Sequence, residues 1–134
     1  MKEELVSFKV ANLAKEKGFD FPCLYTVSLD PKLGKVYNSH QMDYIDWNNY
    51  IPTTNPSLGK CYISAPTQSL LQKWLREVHY QFVHVEHSSG CWNWVIENSK
   101  GYKEGKPPDQ DIYPEFEEQL EIGLFEALHL IKNK

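Results

Sequence analysis

Residues 82–97 are FVHVEHSSGCWNWVIE. Phe82 to His87 and Cys91 to Glu97 alternate in side-chain character, and Ser88, Ser89 and Gly90 between them are turn residues. A period of two sends successive side chains to opposite faces, so the stretch is an antiparallel hairpin with Trp92, Trp94 and Ile96 on one face. A face of that kind needs an apolar cover, and amphipathic helices flank the hairpin on both sides.

Upstream, Leu71, Trp74, Leu75 and Val78 form one apolar stripe, with Gln68, Lys73, Arg76 and Glu77 facing away or flanking it. Ser64-Ala65-Pro66-Thr67 opens this helix: Ser64 or Thr67 can supply the capping oxygen, and proline is tolerated in a first turn. Downstream, Pro114 starts a helix whose stripe is Phe116, Leu120, Leu124, Ala127, Leu128 and Ile131. Glu115, Glu117 and Glu118 suit its positive end, and Lys132 and Lys134 the other. Gly123 lies beside the stripe, where a missing Cβ permits close approach. The polar stretch 98–112, with Gly101, Gly105, Pro107 and Pro108, reads as an exposed loop.

The N-terminal half repeats this order. Val6, Val10, Leu13 and Ala14 predict a helix from Glu3 to Lys17, stopped by Lys15, Lys17 and Gly18, with Phe19 folding back onto its last turn. Cys23 to Leu29 and Lys35 to Asn38 predict a second hairpin around the turn Asp30-Pro31-Lys32-Leu33-Gly34. In the irregular stretch 39–60, Asn48, Asn49, Pro52, Asn55, Pro56 and Gly59 break any period. Tyr44, Ile45, Trp47, Tyr50 and Ile51 nevertheless make it an aromatic loop that packs as a lid over the domain's own core. The expectation is one α+β domain over 1–134: a two-layer sandwich of order α-β-β-α-β-β-α, with a four-stranded, mainly antiparallel sheet and its helices on one face.

Composition narrows the function classes. Fourteen Lys/Arg against eighteen Asp/Glu leave a net charge of −4, which argues against nucleic acid as a partner because phosphate binding needs a basic face. Cys23, Cys61 and Cys91 are odd in number and far apart, so they make no disulfide framework and point to a cytoplasmic setting. The charged N-terminus is no apolar signal core, and no run approaches the ~20 apolar residues of a membrane span.

Reactive groups are sparse. His84, Glu86, His87 and Cys91 are the metal-ligand types clustered on the hairpin, with His79 just upstream. Strand alternation puts His84 and Glu86 on one face and His87 on the other, and His87 could meet Cys91 only across the turn. Three ligands do not converge, so no metal and no cofactor are expected. Asp43 and Asp46 near His40 have the flavour of acid–base chemistry, which a solvated loop edge explains equally well. Ser64 and Thr67 are explained by capping, and Cys23 and Cys91 lie in strands where buried thiols are inert, so no catalytic residue is assigned. Trp92 and Trp94, set beside Phe82, resemble a base-stacking platform, but the strands carry Glu86 and Glu97 and no cation, which favours packing under a helix.

Three segments carry a family resemblance. The block from Ser64 to Glu77, SAPTQSLLQKWLRE, followed by His79, resembles one in a family of small uncharacterised proteins from gut-bacterial genomes and their prophages. That family also tends to open with a helix ending Lys-Gly-Phe-Asp and then Pro-Cys, as Lys17 to Cys23 does here with Phe21 added. It closes with a helix similar to Phe116–Leu124, FEEQLEIGL. The resemblance covers both ends and the middle helix. It implies a shared fold and a bacterial or mobile-element origin, and it transfers no activity or catalytic residue.

The sequence therefore points to a non-enzymatic accessory protein that acts on a protein partner or by self-association as a homo-oligomer. The alternative is a small metal-dependent or hydrolytic enzyme using the His84, Glu86 and His87 hairpin.

Overall fold

Ser7 sets where the first helix begins. In a computed structural model, which describes residues 4–28, 36–38, 45–49, 62–88, 91–105 and 115–132, helix α1 runs Phe8–Glu16. The Ser7 hydroxyl accepts from the Val10 N–H at 3.3 Å, which satisfies an amide with no helical partner. Apolar period alone placed the start at Glu3. Instead Leu5 bridges to Thr67, and the Val6 N–H donates to the Pro66 carbonyl at 3.0 Å. The stop is as expected: Gly18 has φ +92°, its N–H reaches the Lys15 carbonyl, and the Phe19 N–H reaches that of Ala14. These two bonds close a Schellman motif and bury Phe19.

The described residues are mixed α and β, and they fall into two compact units, one over Leu5–Thr67 and one over Gln68–Lys134 with Met1–Glu4. In the first, β1 (Tyr25–Ser28) pairs antiparallel with β2 (Val36–Asn38), as the hairpin reading expects; the turn between them lies outside the described residues. The other edge of β1 takes β3 (Tyr62–Ser64), with Val27 opposite Ile63. Ser64 is thus a buried strand residue and not a helix cap. The Lys15 ammonium donates to the Tyr62 carbonyl at 2.8 Å, which ties α1 to β3.

Within the stretch 39–60, Ile45 exchanges both backbone bonds with Cys23, and Trp47–Asn49 make a single 3-10 turn. Trp47 is buried, and its indole N–H donates to the Cys23 carbonyl, so this piece packs on its own unit. The rest of that stretch, His40 and Asp43 included, lies outside the described residues.

In the second unit, α2 spans Gln68–His79, and the Gln68 N–H finds the Glu4 carbonyl at 2.8 Å. β4 (Phe82–Ser88) and β5 (Cys91–Asn98) form the predicted hairpin, with Ser88 opposite Cys91. β6 (Gly101–Glu104) then pairs with β5. The 98–112 stretch read as an exposed loop, and all four β6 residues are indeed exposed. They form a strand, however, held by backbone pairing rather than by any apolar alternation. Helix α3 (Phe116–His129) lies on the sheet face of Val83, Trp92 and Trp94, and α2 packs beside α3 and along β4.

The described strands thus make two sheets of three, β2-β1-β3 and β4-β5-β6, in place of the single four-stranded sheet expected. The central strand of each, β1 or β5, fills its second edge from its own unit, and among the described residues no pairing joins the two hairpins. Among the described residues no helix is long and apolar enough to cross a membrane.

Candidate functional site

The sheet face opposite α3 concentrates exposed chemistry in a grid fixed by strand register. Partners across an antiparallel ladder share a face with their Cβ atoms about 5 Å apart. Phe82, Glu97 and Tyr102 form one row; His84, Val95 and Glu104 form the next; Glu86 and Asn93 begin a third. Phe82 is 47 % exposed and Tyr102 56 % exposed, with the exposed carboxylate of Glu97 between them. Among the described residues of these three strands Lys103 is the one Lys or Arg. It belongs to the helix face, where its Nζ lies 3.7 Å from Glu126 Oε2. The open face is therefore acidic.

His84 and Glu86, two residues apart on β4, share this face as expected, with His84 Nε2 3.1 Å from Glu86 Oε1. Both are substantially exposed, so the pair contributes at most about 1 kcal/mol. The Tyr102 hydroxyl donates to Glu104 Oε2 at 3.4 Å. Desolvation, and then the negative field of Glu104, Glu86 and Glu97, holds the Tyr102 phenol above its ordinary pKa. On the central strand, Val95 and Asn93 are the buried floor of the face. Asn93 is 6 % exposed, and its Oδ1 has no hydrogen-bond partner. Such an orphaned acceptor costs about 1–3 kcal/mol.

The other hairpin candidates separate. His87 is on the helix face, edge-on to Trp92 at 4.8 Å, and Cys91 lies by register on the open face and is not disulfide-bonded. No group of three or more His, Cys, Asp or Glu is placed to hold a metal among the described residues. Trp92 meets Phe116 of α3 edge-to-face at 5.3 Å, and Trp94 backs onto Gly123, so both belong to the core side. Phe82, which the sequence reading grouped with them, is on the opposite face.

In the first unit, the Cys23 thiol hydrogen-bonds Ser64 and lies within the field of Asp46. Burial first, and then the Asp46 charge, push the Cys23 thiol up to about 12 against the pull of its Ser64 hydrogen bond. A thiol so raised is not a nucleophile at neutral pH. The folded state holds this proton more tightly than the unfolded chain, whose thiol ionises near 9.0. The stabilisation is complete below pH 9 and is lost as pH rises toward 12. Urea melts from pH 7 to 11 are expected to show stability falling above pH 9, with a shallower fall in Cys23→Ala.

The sequence singles out none of Tyr102, Glu104 and Asn93, and Glu97 enters it only as an acid beside the tryptophans, because assembling the rows requires β6 as a strand. Comparison with protein-family models, with curated proteins and with solved structures finds no match to this chain.

Proposed function

We propose that the chain is a non-enzymatic accessory protein of phage or mobile-element origin, acting in the cytoplasm by contact with a protein partner or a second copy. The open face of β4-β5-β6 is its contact surface. One observation carries this reading: two large aromatics, Phe82 and Tyr102, stand about half exposed on a sheet face opposite the helix. Aromatic side chains left in water on a flat surface are characteristic of sites that another polypeptide covers. The origin rests on the resemblance of the Ser64–His79 block and the two terminal helices. Net charge −4 and the three carboxylates on this face disfavour nucleic acid.

Native mass spectrometry of protein purified without chelator or affinity metal, paired with a pull-down, checks the proposal. The expected result is a recovered partner or a multiple of the 15.7 kDa chain, with no metal or small ligand bound. A strict monomer that recovers nothing contradicts it. Stoichiometric metal would instead favour chemistry at His84 and Glu86.

A further inference from the structure

We infer that the open face of β4-β5-β6 binds arginine or lysine side chains of an extended basic segment of a partner protein, with the Phe82–Glu97–Tyr102 row as its principal subsite. This rests on the reading of that face as a protein contact surface and adds the chemistry of what it contacts.

The row places a carboxylate between two exposed aromatic rings on adjacent strands. A guanidinium or ammonium group lying over this row has a carboxylate on the central strand and an exposed aromatic residue on each flanking strand. A ring face within about 6 Å of a cation contributes on the order of 0.5–1 kcal/mol at an exposed site. The rest of the face continues the pattern. Glu104 stands in the row next to that of Tyr102, and Glu86 lies beyond His84 on β4, so three carboxylates spread over the grid with no Lys or Arg among them. An ionised carboxylate accepts hydrogen bonds and donates none.

Asn93 supplies an independent sign. It sits on the same face beside Glu86, nearly all of it buried, with Oδ1 lacking a donor. That acceptor is itself covered, and it marks an unmet need for an N–H group on this face, the group that arginine and lysine carry. Side chains two apart on an extended peptide point the same way about 7 Å apart, a spacing comparable to that between alternate residues on β4. A strand-like segment with a cation at every second position therefore matches the grid.

The probe is a ten-residue peptide alternating arginine and threonine, with its glutamate–threonine counterpart as control. Binding is followed by calorimetry and by amide shifts of the wild-type protein at low salt. The arginine peptide is expected to bind with shifts centred on β4, β5 and β6, and to weaken as salt is raised. Glu97→Gln is expected to weaken it about tenfold, the scale of one charge-assisted hydrogen bond. The combined E86Q, E97Q and E104Q variant is expected to abolish binding while keeping its circular dichroism. Equal binding of the two peptides, or undiminished binding by the triple variant, overturns the inference. So do shifts that fall elsewhere. If arginine peptides fail while a photo-crosslinker at Tyr102 still captures a polypeptide, the cationic class falls and the contact surface stands; if both fail, both fall.

Discussion

Gly105→Ala is expected to destabilise the protein by about 3 kcal/mol, the upper end for forcing a methyl group into a filled core. A Cβ on Gly105 would lie within the indole of Trp94, meeting Nε1, Cε2 and Cδ1. The indole cannot swing aside cheaply. At the root of the same side chain, the Trp94 Cβ lies 2.9 Å from where a Cβ on Gly123 would sit, and Val83 Cγ1 lies 3.1 Å from the same point. Nor can the glycine retreat easily, because its N–H donates to the Trp94 carbonyl at 3.1 Å. Trp94 is thus held between two glycines, one after β6 and one in α3. Urea unfolding of Gly105→Ala, Trp94→Leu and the double variant measures this. Shrinking the indole should recover part of the alanine's cost, with a coupling of about 1 kcal/mol or more. A Gly105→Ala protein within about 0.5 kcal/mol of wild type would mean that the clamp is absent.

Asn48→Ala is expected to cost about 2–5 kcal/mol, through two backbone groups left without partners. The Asn48 amide donates to the Phe19 carbonyl at 2.8 Å, and its Oδ1 accepts from the Ser64 N–H at 2.8 Å. The Asn48 N–H in turn donates to Ser64 Oγ at 3.2 Å. One side chain thus joins the turn after α1, the 3-10 turn and β3. Nearby, the Trp47 indole N–H donates to the Cys23 carbonyl at 3.0 Å. Asn48→Asp keeps the acceptor for Ser64 and loses the donor to Phe19, so its cost should fall between alanine and wild type. Thermal melts of the three proteins give the order; an alanine variant as stable as wild type would remove this residue from the framework.

Much of the fold was legible wherever apolar side chains carry the period. The α2 and α3 stripes, the hairpin of β4 and β5, the Gly18 stop and the close approach at Gly123 all follow from burial or from a single missing Cβ. What escaped is held by the backbone. β6 reads Gly-Tyr-Lys-Glu, with every side chain exposed, so no hydrophobic pattern marks it. β3 is three residues long, and its Ser64 looks like a helix cap just before Pro66. Ser7 was passed over because Val6 fits the helical stripe, although Val6 is buried from an extended segment.

The candidate site divides on the same line. The His84 and Glu86 pairing follows from strand alternation alone and is present at 3.1 Å. Glu97, Tyr102 and Glu104 acquire a shared purpose only when β6 docks on β5, a pairing between exposed residues that composition does not announce. Sequence proximity alone groups Phe82 with the tryptophans because it does not fix register, and a shift of one residue moves a side chain to the opposite face.

Photo-crosslinking from the open face settles whether this surface meets another polypeptide. A benzophenone amino acid replaces Tyr102 in one protein and Glu77, exposed on α2, in another, and both are irradiated in the native cell. The prediction is a covalent adduct to a polypeptide, a partner or a second copy, from position 102 and none from position 77. No adduct from 102, or the same adducts from both positions, would contradict a contact surface on β4-β5-β6.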